Sequence, residues 1–206
     1  MNKTTENQII LFVRAPEKGK VKTRLARDLG EARALELYIQ FAESVLGAAK
    51  KSGAGIRISF CPADRQAMVE SWLGKDLSYF AQEGEDLGER MAHGLARAFD
   101  AGAQKAVLVG SDIPGIHSAH FIEAFDLLDT NDMVIGPSLD GGYWLIGFTR
   151  QGFTPEVFRG IQWSTATVFS DTLELARKAG LSWGRLEALN DIDTAQDLED
   201  PSLKPA

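Results

Sequence analysis

Six cations crowd into the segment 14–27: Arg14, Lys18, Lys20, Lys22, Arg24 and Arg27, opposed only by Glu17. This stretch carries an excess of five positive charges, while the 206-residue chain as a whole carries −7. Lysine and arginine at that density hold anions through charge-assisted hydrogen bonds, and on an acidic protein such a local cluster points to a small anionic ligand rather than to nucleic acid. The loop R-A-P-E-K-G-K-V-K-T-R-L has neither of the glycine patterns that cradle mononucleotides or dinucleotides, yet it offers backbone amides near Gly19 to a polyphosphate. An isolated run of this kind reads as a solvated basic loop. Its place directly after an apolar run, where strand ends collect ligands, favours the anion site.

Carboxylates form the second group. Asp112, in L-V-G-S-D-I-P-G, follows a buried run and precedes Ile113 and Pro114, which restrain the turn; a divalent cation or a turn-forming role would both account for it. Asp191 and Asp193 lie in N-D-I-D-T-A-Q-D-L, with Thr194 a candidate helix cap and Asp197 suited to a first turn. Two carboxylates meeting from such distant loops can hold magnesium, which takes only one or two protein ligands and keeps several waters. In G-P-S-L-D-G-G-Y-W-L-I-G, Asp140-Gly141 is a strong hairpin signal, and Asp140 is also placed to bind an acceptor or to act as a base. Gln82 can pair with a base edge, and Gly84 and Gly88 allow close backbone approach ahead of a helix capped near Asp86. His93, His117 and His120 have neither triad nor metal-ligand spacing.

The elements that must position these groups alternate. Strands are expected at 9–13, 56–61, 77–81, 106–109, 133–135, 143–148 and 183–186, and helices at 31–50, 65–73, 87–101, 120–128 and 167–179, from the switch between short apolar runs and 3.6-residue periodicity. That order calls for an α/β protein with a mainly parallel sheet covered on both faces. Only a loop separates 133–135 from 143–148, so an antiparallel element is expected there. The tail 201–206 is expected to be loose.

Composition narrows the setting. With 44% hydrophobic and 25% charged residues the chain reads as one globular domain, 1–206, with its core over 9–198. The single cysteine, Cys61, precludes an intramolecular disulfide or a cysteine zinc cage and fits a cytoplasmic location. No apolar run is long enough to span a bilayer, and residues 1–8 lack a signal-peptide core.

Taken in order, the five motifs above resemble the nucleotide-diphospho-sugar transferase superfamily, with its GT-A-like, Rossmann-like three-layer architecture. The chain is similar to a bacterial glycosyltransferase-like branch related to phospholactate guanylyltransferase. The resemblance covers about residues 9–198. It implies a nucleotide site at Arg14, Gly19, Lys22, Arg24, Gln82 and Gly88, a Mg2+ or Mn2+ site at Asp112 and Asp193, and an acceptor site at Asp140, Gly141 and Gly142, with Lys22, Asp112 and Asp140 serving the chemistry. The implied substrates are a nucleoside triphosphate or nucleotide sugar and a small phosphorylated or hydroxyl acceptor. A first loop punctuated only by Pro16 and Gly19 departs from the glycine-rich loop of common sugar nucleotidyltransferases. Nucleotidyl and glycosyl transfer both suit these residues; a catalytically silent nucleotide-sensing domain is the alternative, and two retained carboxylates weigh against it.

Overall fold

A computed structural model describes residues 6–113, 115–189, 191–194 and 196–199; the tail 201–206 lies outside them. Seven strands form one sheet: β1 (Asn7–Arg14), β2 (Gly55–Cys61), β3 (Ser78–Ala81), β4 (Lys105–Val109), β5 (Met133–Pro137), β6 (Tyr143–Thr149) and β7 (Trp183–Arg185). Their order is β3-β2-β1-β4-β6-β5-β7. β6 is antiparallel to both β4 and β5, and every other neighbouring pair is parallel. The antiparallel element expected from the short 133–148 connection is therefore β6, inserted between two strands that run the other way.

Helices cover both faces, and the apolar run of β1 shows why. Ile9, Leu11 and Val13 point into a core shared with Val45 and Ala49 of α2 (Glu31–Lys51), Val69 of α3 (Gln66–Leu73) and Phe121 of α5 (Ser118–Leu127). Ile10 and Phe12 point the other way, into a core shared with Met91, Leu95 and Phe99 of α4 (Leu87–Asp100) and Ala176 of α6 (Val168–Lys178). A strand apolar on both faces is what a sheet with helices on each side demands, and each fully buried aliphatic side chain contributes about 1.5–3 kcal/mol relative to exposure. Asp86 caps α4 as its position suggests, accepting from the Glu89 N–H at 2.8 Å.

One helix was not expected. The second half of the basic loop coils as α1 (Thr23–Leu29), whose buried residue is Leu25. Seven residues with one apolar anchor give no helical period to read. Among the described residues no helix is long and apolar enough to cross a membrane.

Candidate functional site at the carboxyl edge of the sheet

Leu25 is the key to how the site assembles. It packs with Ala34, Leu37 and Phe41 of α2 and with Ile192 in a small third core apart from the two large ones. Lys22 stands three residues before Leu25 and Asp193 directly follows Ile192, so this apolar cluster brings together side chains separated by 171 positions. A backbone hydrogen bond from the Ile192 N–H to the Asp112 carbonyl, 3.4 Å, ties the third loop to the same point. Asp197 fixes the main chain beyond, accepting from the N–H groups of Asp193 (2.9 Å) and Thr194 (2.7 Å), while Thr194 accepts from the Asp197 N–H.

At that point the Lys22 ammonium lies between two carboxylates, 2.9 Å from Asp112 Oδ2 and 2.8 Å from Asp193 Oδ1. Its side chain is only 3% exposed. Burial alone would push its pKa down, but the charges and hydrogen bonds of Asp112 and Asp193 outweigh this and hold it above the ordinary lysine value. Arg24, largely exposed, reaches Asp193 Oδ2 at 3.4 Å. To aim inward, Lys22 adopts a left-handed backbone, φ 46° and ψ 48°, at the start of α1. The other described non-glycine residue with positive φ is Ser164, at 64°. Such conformations cost of order 1–3 kcal/mol and collect at working sites.

Two adjoining cavities flank this ion cluster. The first, about 590 Å3, is lined by Arg14, Lys20, Lys22, Thr23 and Arg24 together with Tyr38, Ser111, Asp112, Ser164 and Asp193. The second, about 390 Å3, shares Ser111, Asp112 and Ser164 with the first and continues to Asp140, Gly142 and Asp191 between walls of Phe12, Met91, Tyr143, Trp144 and Trp163. Tyr38 braces the boundary: its hydroxyl donates to the Arg14 carbonyl (2.9 Å) and accepts from the Arg14 N–H (2.7 Å), with Ser111 Oγ 3.4 Å away. Asp191 is pushed up to about 6 chiefly by burial, with Asp193 and Asp140 raising it further and Lys22 opposing them.

The hairpin signal at Asp140-Gly141 and its place beside the cleft turn out to be compatible. Asp140 Oδ1 accepts from the Gly142 N–H at 2.9 Å, a turn that fixes the carboxylate at the mouth of the second cavity. Gly141 has φ +91°, and a Cβ there would run into the Ala166 carbonyl. The Gly141 carbonyl accepts from the Phe169 N–H at 2.9 Å, which seats the turn on the start of α6.

Other residues singled out in the sequence sit farther off. Gly19, at φ +74°, lies against the Glu31 carboxylate, just before the segment that lines the basic cavity. Gln82 turns its amide onto the Ser59 carbonyl, 3.0 Å, and lines neither cavity. Gly88 lies under Trp163 and Phe158, where a Cβ would come within 2.6 Å of the indole, so its lack of a side chain makes room for that ring. The sequence reading missed Tyr38, Ser111, Trp163 and Ser164. Tyr38 looks like any apolar position on α2, and Ser164 signals itself only through its backbone.

Among the described residues, no three His, Cys, Asp or Glu side chains converge closely enough to cage an ion. The site instead offers hard oxygen donors from two carboxylates, Asp112 and Asp193, both paired here with the Lys22 ammonium, with Asp140 and Asp191 nearby. That donor set fits magnesium or manganese completing its shell with water and phosphate oxygens.

A family model described as an uncharacterized protein conserved in bacteria (DUF2064) matches residues 45–165. No curated protein matches the chain. Among solved structures, a candidate nucleotide-diphospho-sugar transferase from Desulfovibrio desulfuricans G20 is 42% identical, with a TM-score of 0.91 over 94% of this chain and 85% of its own. Two more distant structures share the fold. The 4-diphosphocytidyl-2C-methyl-D-erythritol synthase of Anaerococcus prevotii is 12% identical, with a TM-score of 0.62 over 94% of this chain and 96% of its own. Rv0371c of Mycobacterium tuberculosis, in complex with manganese, is 15% identical, with a TM-score of 0.59 over 95% and 97%.

Proposed function

The chain belongs to the bacterial DUF2064 family and to the nucleotide-diphospho-sugar transferase superfamily, and on that premise we propose that it is a divalent-metal-dependent transferase acting on a nucleotide donor. The observation that carries the proposal is the adjacency of a basic cavity and an apolar one, with Asp112 lining both and paired with Lys22, which also holds Asp193, in the basic one. The basic cavity holds the donor's phosphates. Lys22 grips them as a point charge, and Arg24 and Arg14 add charge from the rim.

Mg2+ or Mn2+ held by Asp112 and Asp193 would supply neutralisation of charge on the donor and on its leaving group; a structure of the same fold contains manganese. The acceptor lies in the second cavity. Its oxygen forms a bond to the transferred group while the bond from that group to the leaving phosphate oxygen breaks, the electron pair staying on that oxygen. When the acceptor is a hydroxyl, its proton passes to Asp140, whose orientation the Gly142 N–H fixes. Charge, rather than acid–base chemistry, does most of the stabilising.

A thermal-shift panel of nucleoside triphosphates and nucleotide sugars, with and without magnesium, tests this reading. At least one donor should raise Tm in the presence of metal and fail to do so in Lys22→Met. Mass spectrometry of the products then divides the class: pyrophosphate release marks nucleotidyl transfer, and nucleoside diphosphate release with an enlarged acceptor marks glycosyl transfer. No response to any donor, or an equal response in Lys22→Met, would overturn the proposal.

A further inference from the structure

The two adjoining cavities differ in charge. Four cationic side chains line the basic cavity, those of Arg14, Lys20, Lys22 and Arg24. No lysine, arginine or histidine is among the described residues lining the other, where every charged group is a carboxylate: Asp112, Asp140 and Asp191. The walls between them are aromatic or aliphatic, and the small polar groups on offer are the hydroxyls of Ser111, Ser138, Ser164 and Thr165. Trp163 adds a buried Nε1–H with no partner among the described residues. A phosphorylated or carboxylated acceptor entering this space would meet the carboxylates of Asp140 and Asp191, with Asp112 already paired with Lys22, and no cation among the described lining residues.

We propose that this cavity takes an uncharged or cationic alcohol with an apolar face, and that an acceptor bearing phosphate or carboxylate is excluded from it. The inference rests on the transferase reading above and narrows its acceptor. Aromatic walls pack against the apolar face of such a molecule, while carboxylates and hydroxyls satisfy its hydroxyl groups or an ammonium. The reacting hydroxyl then lies beside Asp112 and Ser164, which the two cavities share, and its proton has Asp140 to go to.

Methyl NMR separates the two cavities, because Met91 lines the apolar one and Thr23 the basic one. The wild-type protein is titrated with phenyl β-D-glucoside, tyramine and phenyl phosphate, and separately with a nucleoside triphosphate and magnesium. The glucoside and tyramine should shift the Met91 methyl. Phenyl phosphate should shift Thr23 and act on Met91 with an apparent affinity lower by roughly tenfold or more, because it enters against like charge. Asp140→Asn, which keeps the shape of the turn residue and removes one charge, should narrow that gap. Phenyl phosphate shifting Met91 as readily as the glucoside, or neither uncharged nor cationic probe shifting Met91, would overturn the inference. A triphosphate that leaves Thr23 unmoved would instead overturn the transferase reading, with the charge preference at Met91 still measured.

Discussion

The two edges of the sheet are built to different standards. At the edge where β5 and β7 begin, polar groups are paired locally: Asp132 N–H donates to Ser182 Oγ (3.0 Å), Ser182 N–H to Asp132 Oδ2 (2.9 Å), and Met133 N–H to the Ser182 carbonyl (3.0 Å). Lys105 there donates to the Phe125 carbonyl and to Asp129. At the opposite edge Lys22 and Ser164 hold left-handed backbones, a lysine is buried between two carboxylates, and Asp191 is kept in surroundings that resist its charge. Strain and unfavourable burial gather at the edge where the cavities open. The difference teaches that this edge carries features that stability alone does not call for, as expected where binding or chemistry sets the requirement.

If that contrast is sound, the largest effects on activity should come from the strained edge and leave the fold standing. Asp112→Asn and Asp193→Asn should each lower metal-dependent turnover by about 10²–10³-fold, the equivalent of several kcal/mol of lost charge stabilisation. The double variant should be scarcely worse than either single one, because the two act as a unit; additive losses would separate their roles. Next, Lys22→Met should weaken triphosphate binding by roughly 10- to 100-fold, from about 1.5–3 kcal/mol per charged hydrogen bond, as read by calorimetry. Unchanged affinity would make Lys22 a structural counter-ion only.

Smaller effects sharpen the contrast by stability. Gly141→Ala should cost about 1–3 kcal/mol, because it forces a left-handed alanine into the Ala166 carbonyl; chemical denaturation reads it, and an unchanged midpoint would show that the turn relaxes freely. Ser164→Gly should be neutral or stabilising by up to about 1 kcal/mol, as relief of strain offsets glycine's added chain entropy. A clear destabilisation there would mean that the Ser164 side chain matters more than its backbone.

Ser182→Ala, at the opposite edge, should cost under about 1 kcal/mol and leave turnover untouched. The Ser182 hydroxyl and N–H hold the Asp132 pKa below its ordinary value. Their contribution is thus present above the unfolded carboxylate pKa and lost as pH falls through the lower folded one, so the gap between wild type and variant should close in acid. A gap that widens in acid would reverse this assignment.

Much of this was legible in the sequence, and what was not has physical reasons. The doubled apolar runs of β1 and β4 and the amphipathic period of α2 announced a covered parallel sheet, and the short 133–148 connection announced β6. The motifs at Lys22, Asp112, Asp140 and Asp193 are strand-end loops whose residue types already suggested anion and cation chemistry, and the structure brings Lys22, Asp112 and Asp193 into contact. The agent of that contact could not be read, since Leu25 and Ile192 are ordinary aliphatic residues whose pairing exists only in three dimensions. Nor could the aromatic wall, because Trp163 comes from a loop without periodicity and rests on a glycine 75 positions earlier.

The reversed direction of β6 has one more consequence. The parallel neighbours that follow one another in the chain, β1 to β2 and β2 to β3, are joined by crossovers that must return across a face, so their length is tied to a helix and to the packing beneath it. The turn feeding β6, residues 138–142, has no such obligation; it is a hairpin tip, with Leu139 exposed. Doubling a loop of this kind adds only about 0.6 kcal/mol of closure entropy. With Asp140 and Gly141 held by their contacts, one wall of the second cavity can thus still be lengthened at the exposed Leu139 while strand order, register and both large cores stay as they are. A change there reshapes the second cavity and leaves the lining of the basic one as it is.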